Sequence, residues 1–253
     1  MSKRFISSLI LLIVLSTVPH AYFVTFKDNK MDPASGKNKL SLYVTNDSDK
    51  MLPIEIRPLT REQDEFGNEI NNDTDEIFVV PFQLLLPPFS EQSVSVQWVG
   101  DSLVTKEKAF RLMVEPIPVK ENEGLEVKSI YTVVVFKKSL YVMPKDQVVS
   151  LDLIEAKRVY DETLKEDQLF LKFKNNGTIH YFLKSLSFEY PIMGDQYGQL
   201  NVSIADLNLT NKPGLQKLNV LPDQFYSGQL PWPEEIDKTV DRFDLLDIEY
   251  EVR

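Results

Sequence analysis

Alternating apolar and polar residues recur along most of the chain. Residues 39–44 (KLSLYV), 93–98 (SVSVQW) and 168–173 (QLFLKF) each place every second, apolar side chain on one side. A period of two is that of a half-buried β-strand, whose successive side chains point to opposite faces of a sheet. Turn residues separate these segments, and no stretch has convincing helical periodicity. The pattern therefore predicts an all-β protein with antiparallel sandwich architecture.

The stretch of residues 130–144 (IYTVVVFKKSLYVMP) differs from the other predicted strands. It is apolar on both alternating faces as far as Phe136, so both faces require cover. Lys137 and Lys138 then interrupt the run, and Pro144 ends it because proline cannot donate to a β-ladder. Two interpretations follow from this pattern. It is either a central sandwich strand with two solvated lysines or a strand with a function beyond packing.

Two series of predicted strands suggest two domains. The first series spans residues 22–145 and the second, less regular series spans residues 146–253, with a short linker around residues 144–148. The polar segment 64–76 predicts a solvated hairpin loop within the first domain. The sequence Asn175-Asn176-Gly177-Thr178 predicts a type I′ β-hairpin in the second.

The N-terminus has the organisation of a secretory signal. Lys3 and Arg4 precede an apolar run, residues 5–18, which is followed by the small residue Ala21. The run is shorter than the ~20 apolar residues that a membrane-spanning helix needs. Residues 1–21 are therefore predicted to be cleaved on export. Loss of Lys3 and Arg4 would change the formal charge from -10 to about -12.

Composition excludes several classes of function. A formal charge of -10 argues against nucleic acid as a partner, because phosphate binding needs a basic surface. The absence of cysteine removes thiol nucleophiles, disulfides and cysteine-ligated zinc. His180 is the only histidine after residue 21, and no catalytic or phosphate-binding motif is present. We therefore expect a protein that is not an enzyme and uses no metal or other cofactor.

Several segments, in their order along the chain, resemble the PapD-like periplasmic chaperones of pilus assembly. In the first domain these are LSLYVTND at 40–47, IFVVPFQLLLPPFSEQSVSV at 77–96, FRLMVEPIPV at 110–119 and SLYVMP at 139–144. In the second they are KFKNNGTIHYFL at 172–183 and VLPDQFYSGQLP at 220–231. The resemblance covers most of residues 22–253, and it lies in the order of the segments rather than in one motif.

The resemblance implies two immunoglobulin-like β-sandwich domains set at an angle, with a cleft between them. It also implies a function as a periplasmic chaperone for pilus or fimbrial subunits. The chaperone lends the last strand of its first domain to a subunit that lacks one, a form of strand addition. The implied partners are the subunit and an outer-membrane usher.

The resemblance also implies two basic residues that hold the C-terminal carboxylate of the subunit. Counting back from LSLYVTN places the first at Lys30, where the family more often has arginine. Counting back from Pro144 places the second at Ser139, which departs from the lysine of the family. Lys138 is adjacent and Lys137 is next, and a β-bulge could bring Lys138 into place.

The same count leaves two registers open for the donated strand. One offers Ile130, Thr132 and Val134, and a shift of one residue offers Tyr131, Val133 and Val135. Period-two geometry implies that the set not offered packs into the core of the first domain. An offered apolar face predicts weak self-association of the free protein.

The alternative is a secreted structural or adhesive β-sandwich protein, such as a surface subunit. A subunit would lack a strand in its own domain, whereas the first domain of this chain has strands enough to be complete.

Overall fold

The computed structural model describes residues 22–64, 68–118, 133–209 and 216–252. Nearly all regular structure in these ranges is β-strand, and the helical exception is the three-residue 3-10 turn Pro33–Ser35. In the described ranges no helix has the length and apolar character needed to cross a membrane. The all-β fold predicted from residue alternation is confirmed.

The first β-sandwich is formed by two antiparallel-rich sheets and a small hairpin. Its strands are β1 (Tyr22–Phe26), β2 (Lys30–Met31), β3 (Lys39–Asn46), β4 (Leu52–Thr60), β5 (Glu62–Gln63), β6 (Glu69–Ile70), β7 (Ile77–Val80), β8 (Gln83–Leu86), β9 (Ser90–Trp98), β10 (Lys108–Pro116) and β11 (Phe136–Val142). One sheet has the order β1-β3-β9-β7 and the other β2-β11-β10-β4-β8, while β5 and β6 pair with each other.

The second β-sandwich uses the strands that follow. These are β12 (Leu151–Asp161), β13 (Glu166–Asn175), β14 (Tyr181–Met193), β15 (Gln196–Ser203), β16 (Asn208–Leu209), β17 (Leu218–Val220), β18 (Phe225–Pro231) and β19 (Asp244–Glu251). One sheet has the order β12-β13-β18-β16, and the other has β14 between β19 on one side and β15 and β17 on the other. No described strand of one sandwich pairs with a strand of the other.

Each sandwich has its own apolar core, made by the alternating residues that the sequence pattern singled out. In the first, Leu42, Val44 and Val96 are fully buried; in the second, Leu169 and Leu171 are. Apolar residues at every second position line one face of each sheet, and the two sheets of a sandwich turn these faces towards each other. Each sandwich therefore encloses a core of its own.

A third apolar cluster joins the two sandwiches. Tyr141 and Met143, at the end of β11 and just beyond it, pack against Ile179 and Leu221 of the second sandwich. Beside this contact lies a cleft of about 230 Å³, lined by Thr60, Arg61 and Glu62 on one side and by Leu221, Pro222 and Gln224 on the other. This interdomain cleft confirms the expected two-sandwich arrangement.

The hairpin predicted at residues 175–178 is wrong. Strands β13 and β14, on either side of it, lie in different sheets and do not pair with each other. The side chain of the buried Asn175 explains the Asn-Gly signal: its Oδ1 accepts from Gly177 N at 2.8 Å and its Nδ2 donates to Val220 O at 3.0 Å. A side chain at Gly177 would lie 2.3 Å from Val148 O, so glycine is required here for close approach of two backbone segments.

Candidate subunit-binding site

The last strand of the first sandwich has an open edge. Strand β11 pairs with β10 from Phe136 to Val142, but on its other side β2 pairs only with Tyr141 and Val142. The amide of Tyr141 donates to Asn29 O on that side, at 2.9 Å. Backbone groups alternate along an antiparallel strand, so those of Lys137 and Ser139 point to the same side. No described strand pairs with them there, which leaves this edge available to a strand from another chain.

Strand β11 is shorter than the sequence predicts. It begins at Phe136, opposite Val114, and residues 133–135 lie outside any strand, while residues 130–132 lie outside the described part of the chain. The pairing ends where β10 approaches Pro116 and Pro118, because proline has no amide hydrogen to continue a ladder.

An exposed apolar run precedes the open edge. Val133, Val134 and Val135 are 57%, 47% and 42% exposed. Neither of the two alternating sets of side chains in this run is therefore in the core. The expectation that Val133 and Val135 pack inside the sandwich is wrong. Core packing begins at Phe136, whose ring meets the ring of the buried Tyr22 edge-on with centroids 4.8 Å apart. The Tyr22 hydroxyl also donates to the Val134 carbonyl.

The two lysines of β11 lie on opposite faces of their sheet. Lys138 is opposite the buried Leu112, so it alternates onto the core side, where its ammonium lies 5.6 Å from the centre of the Phe136 ring. Lys137 is on the outer face, and its Nζ donates to Asn71 Oδ1 at 3.2 Å. Both lysines line a surface pocket of about 420 Å³ beside the open edge, together with residues 26–29 and Ser139.

Lys30 shares the outer face with Lys137 rather than with Lys138. It is in register with Tyr141 in the parallel pair of β2 and β11, and residues in register point to the same side of a sheet. In the described part of the chain, no carboxylate lies within ion-pairing distance of the Lys30 or Lys138 ammonium. The structure thus brings Lys137 and Lys138 to one pocket but does not bring Lys30 and Lys138 to one face.

An arginine cluster that the sequence interpretation did not assign lies on this outer face. Arg111 is opposite Ser139 in the ladder, and its NH1 donates to Ser139 Oγ at 2.5 Å. Its Nε and NH2 donate to the two carboxylate oxygens of Glu69, at 2.8 and 2.5 Å. Arg61 Nε donates to the same carboxylate at 3.0 Å, and Arg61 NH1 to the Tyr141 hydroxyl at 2.9 Å.

The electrostatics of this cluster keep Glu69 ionised. Partial burial of its carboxyl would raise the pKa, but hydrogen bonds and charge from Arg111, with Asn71 and Arg61 adding to them, lower the pKa of Glu69 to about 2. A carboxyl whose pKa is lower in the folded than in the unfolded protein stabilises the folded state at pH values above the unfolded-state pKa. This stabilisation is lost as the pH falls through about 2. Two guanidinium groups face one carboxylate, so the cluster keeps a net positive charge.

A buried polar contact between Glu107 of the first sandwich and His180 of the second lies next to this cluster. The Glu107 carboxylate oxygens lie 2.7 and 2.8 Å from His180 Nδ1, and His180 N donates to Oε2 at 3.2 Å. Both side chains are almost fully buried, and the His180 ring stacks on Tyr141 with centroids 3.9 Å apart. His180 thus joins the two sandwiches. Asn219, from the second sandwich, donates to the Tyr141 hydroxyl at 2.9 Å.

Part of this arrangement can be predicted from the sequence. Arg111 falls between Phe110 and Leu112 in an alternating strand, so its place on the outer face follows from period-two geometry. Glu69 carries no such signal, because it lies in the polar segment between two strands. The described residues contain no group of three or more histidine or acidic side chains that could hold a metal ion.

Comparisons with solved structures match both sandwiches together. The chain is similar to a chain from a chaperone–tip adhesin complex of CFA/I fimbriae biogenesis, at 15% sequence identity and a TM-score of 0.54, over 90% of this chain and 98% of the other. It is similar to the class 5 fimbriae chaperone CfaA, at 15% identity and a TM-score of 0.52, over 88% and 98%.

A third similar structure is the CsuC–CsuE chaperone–tip adhesion subunit complex from the archaic chaperone-usher Csu pili of Acinetobacter baumannii. Identity is 12% and the TM-score 0.52, over 89% of this chain and 96% of the other. No protein-family model matches the sequence, and no curated protein matches it. At these identities the likeness shows the fold: two immunoglobulin-like β-sandwiches arranged as in fimbrial chaperones.

Proposed function

We propose that this protein is a periplasmic chaperone for pilus or fimbrial subunits, which it stabilises by lending them a strand. The observation that carries the proposal is the open edge of β11 together with the exposed apolar run that precedes it. The backbone of Lys137 and Ser139 is unpaired on that side in the described part of the chain, and three exposed valines precede it. The solved structures of similar fold add support, since they include chaperones in complex with adhesin subunits.

The mechanism is binding without turnover. A subunit that lacks one strand exposes an apolar groove, and an incoming strand edge forms main-chain hydrogen bonds while alternate side chains fill the groove. The side chains offered are either Ile130, Thr132 and Val134 or Tyr131, Val133 and Val135. The exposures of the three valines are similar, so mutagenesis is needed to distinguish the registers. The exposed valines also support weak self-association of the free protein.

Positive charge near the open edge suits the C-terminal carboxylate of a subunit. Lys30 and Lys137 lie on the outer face of the sheet and Lys138 on the other, and Lys137 and Lys138 share one pocket. We include all three lysines in the proposed carboxylate-binding region. Delivery to an outer-membrane usher completes the proposal and rests on the family resemblance alone.

The proposed organisation is a signal peptide at residues 1–21, a chaperone domain at residues 22–145 and a smaller domain at residues 146–253. The proposed boundary after residue 145 is supported by the end of β11 at Val142 and the start of β12 at Leu151, on either side of it. A surface subunit is disfavoured because Leu140 and Val142 of β11 are fully buried and close the first core, whereas a subunit would leave that place open.

Export should leave a mature protein that begins near Tyr22. Tyr22 is buried and starts β1, so cleavage after Ala21 would leave this strand whole. We expect N-terminal sequencing of protein from the periplasmic fraction to read Tyr22-Phe23-Val24. An intact Met1 on protein from the source organism would contradict the proposed export.

Co-purification is the direct test of the chaperone function. Tagged protein isolated from the periplasm of the source organism should carry a stoichiometric β-rich partner, identified by mass spectrometry, that aggregates or is degraded when the protein is absent. Recovery of the protein alone, with secreted β-proteins unaffected by its deletion, would refute the proposal.

A further inference from the structure

We propose that the outer face of the β1-β3-β9-β7 sheet carries a binding site for a phosphate monoester, with Lys27 and Lys39 as its charged residues. The site is a surface pocket of about 290 Å³, lined by residues of β3, of β9 and of the segment that follows β1. Strand β11 lies in the other sheet of the same sandwich. The site is therefore separate from the strand edge proposed for subunit capture, and its test does not depend on that function.

Period-two geometry places the lining residues of β3 and β9 on the outer face. Leu42 and Val96 are fully buried in the core, so their neighbours Ser41 and Ser95 point outward. Ser41 lies directly opposite Ser95 in the antiparallel pair of these strands. Lys39 is the next outward residue along β3. The pocket therefore presents two adjacent hydroxyl groups with a lysine beside them.

The second lysine, Lys27, is held by an aromatic ring. Its ammonium lies 5.3 Å from the centre of the Tyr43 ring, within the distance at which a cation is attracted to the face of the ring. Tyr43 is opposite Thr25 of β1, two residues before Lys27, so the strand pairing brings Lys27 next to the ring. A side chain that is already positioned loses less conformational freedom when it binds a ligand.

The carboxylate that lines the pocket is already paired outside the two lysines. Asp28 Oδ2 accepts from the Lys37 ammonium, and Asp28 Oδ1 accepts from the backbone amide of Lys30 at 3.0 Å. In the described ranges, no carboxylate lies within ion-pairing distance of the Lys27 or Lys39 ammonium. Two positive charges in the pocket are therefore left for a ligand.

The charge and the residue types of the pocket indicate the class of ligand. The chain has a formal charge of -10, and these lysines give the pocket the opposite sign. None of the described residues that line it is an arginine, whose planar fork suits a carboxylate, whereas lysine binds phosphate as a point charge. A phosphate monoester carries a charge of about -1.5 to -2 at pH 7 and three strong acceptor oxygens. It therefore matches two ammonium groups and two hydroxyl donors, whereas a carboxylate would neutralise one lysine.

Three glucose compounds test the site in solution. Glucose 6-phosphate is the monoester, glucose 6-sulfate has one fixed negative charge, and glucose has none. Each is titrated into the mature protein while the backbone amide resonances of Ser41 and Ser95 are followed by NMR. At about pH 7.5 we expect the phosphate to bind about tenfold more tightly than the sulfate, and glucose to cause no shift. Because the second ionisation of the monoester has a pKa of about 6, this preference should disappear at about pH 5.

Lysine variants identify the residues that hold the phosphate. Lys27→Ala and Lys39→Ala should each weaken binding of glucose 6-phosphate about tenfold, since each removes one charge-assisted contact. Lys39→Arg should keep most of the affinity because the charge is retained. Tyr43→Leu should weaken binding less than Lys27→Ala, because it releases the ammonium without removing it. Both lysines are exposed, and melting temperatures establish that each variant is folded.

A second lysine pair next to an aromatic ring provides the matched control. The ammonium groups of Lys172 and Lys174 lie 5.2 and 5.3 Å from the centre of the Phe225 ring. Lys174 is also 4.0 Å from the Asp223 carboxylate, so this pair is partly neutralised. Alanine at both positions should leave the affinity for glucose 6-phosphate unchanged.

Vesicles distinguish the two sources of a phosphate monoester, a soluble molecule and a lipid headgroup. Phosphatidylcholine vesicles that contain phosphatidic acid carry the monoester, and those that contain phosphatidylglycerol carry a diester as the control. Binding to phosphatidic acid vesicles that needs Lys27 and Lys39, without binding of glucose 6-phosphate, would assign the site to a lipid, and the reverse result to a soluble phosphate. Equal affinity for phosphate and sulfate, binding that ignores both lysines, or no binding to either monoester would overturn the site.

Discussion

If the protein is the chaperone proposed above, glutamate on the offered side of the strand should abolish subunit capture and leave the protein folded. The variants are Val134→Glu for one register and Val133→Glu with Val135→Glu for the other. All three valines are about half exposed, so a charge there costs the free protein little. In the complex, the offered side chains enter an apolar groove, where an unpaired charge costs several kcal/mol. We therefore expect the variant that places glutamate on the offered side of the strand to lose affinity by at least about 100-fold. Binding and melting temperature are measured for both variants.

The comparison of the two variants also determines the register. Loss of binding in Val134→Glu alone indicates that Ile130, Thr132 and Val134 are offered, and loss in the double variant alone indicates Tyr131, Val133 and Val135. Val99→Glu is the matched control, because Val99 is 51% exposed and lies outside β11. Retained capture in both valine variants would mean that the open edge of β11 is not used.

Removal of the Glu107 side chain should give the largest loss of stability. Glu107→Ala leaves His180 and its backbone amide without partners in a buried position between the sandwiches. A buried polar group that loses its hydrogen-bond partner typically costs about 1–3 kcal/mol, and Glu107→Ala leaves two such groups, the ring and the backbone amide of His180. Because this contact joins two sandwiches with separate cores, we expect the denaturation curve to split into two transitions as the sandwiches lose their coupling.

Lys106→Ala is the control for this experiment. Lys106 pairs with Asp223 at 2.6 Å across the same interface, but both side chains are nearly half exposed. An exposed pair contributes at most about 1 kcal/mol, so the control should unfold as the wild type does. Equal, small effects of Glu107→Ala and Lys106→Ala would show that the buried pair does not couple the sandwiches.

The sequence alone identified the strands that carry a period-two pattern. Residues 39–44, 93–98 and 168–173 lie within β3, β9 and β13, and their alternate apolar side chains are buried, except Leu40, which is partly buried. This succeeds because the alternation of a half-buried strand is local: each residue's face depends only on its place in its own strand. The same local rule marked the last strand of the first sandwich and its lysines, and the order of segments indicated the fold.

The tertiary structure decided which residues meet. Glu69 and Arg111 are 42 positions apart, and Glu107 and His180 are 73 apart, so no local pattern could pair them. It also decided where β11 begins, since the ladder ends near the prolines of the neighbouring strand β10. The Asn-Gly signal at 176–177 predicts a hairpin because turn chemistry is local, whereas the choice between one sheet and two depends on distant partners. Alternation determines a residue's face, and only the packed sheets determine what that face contacts.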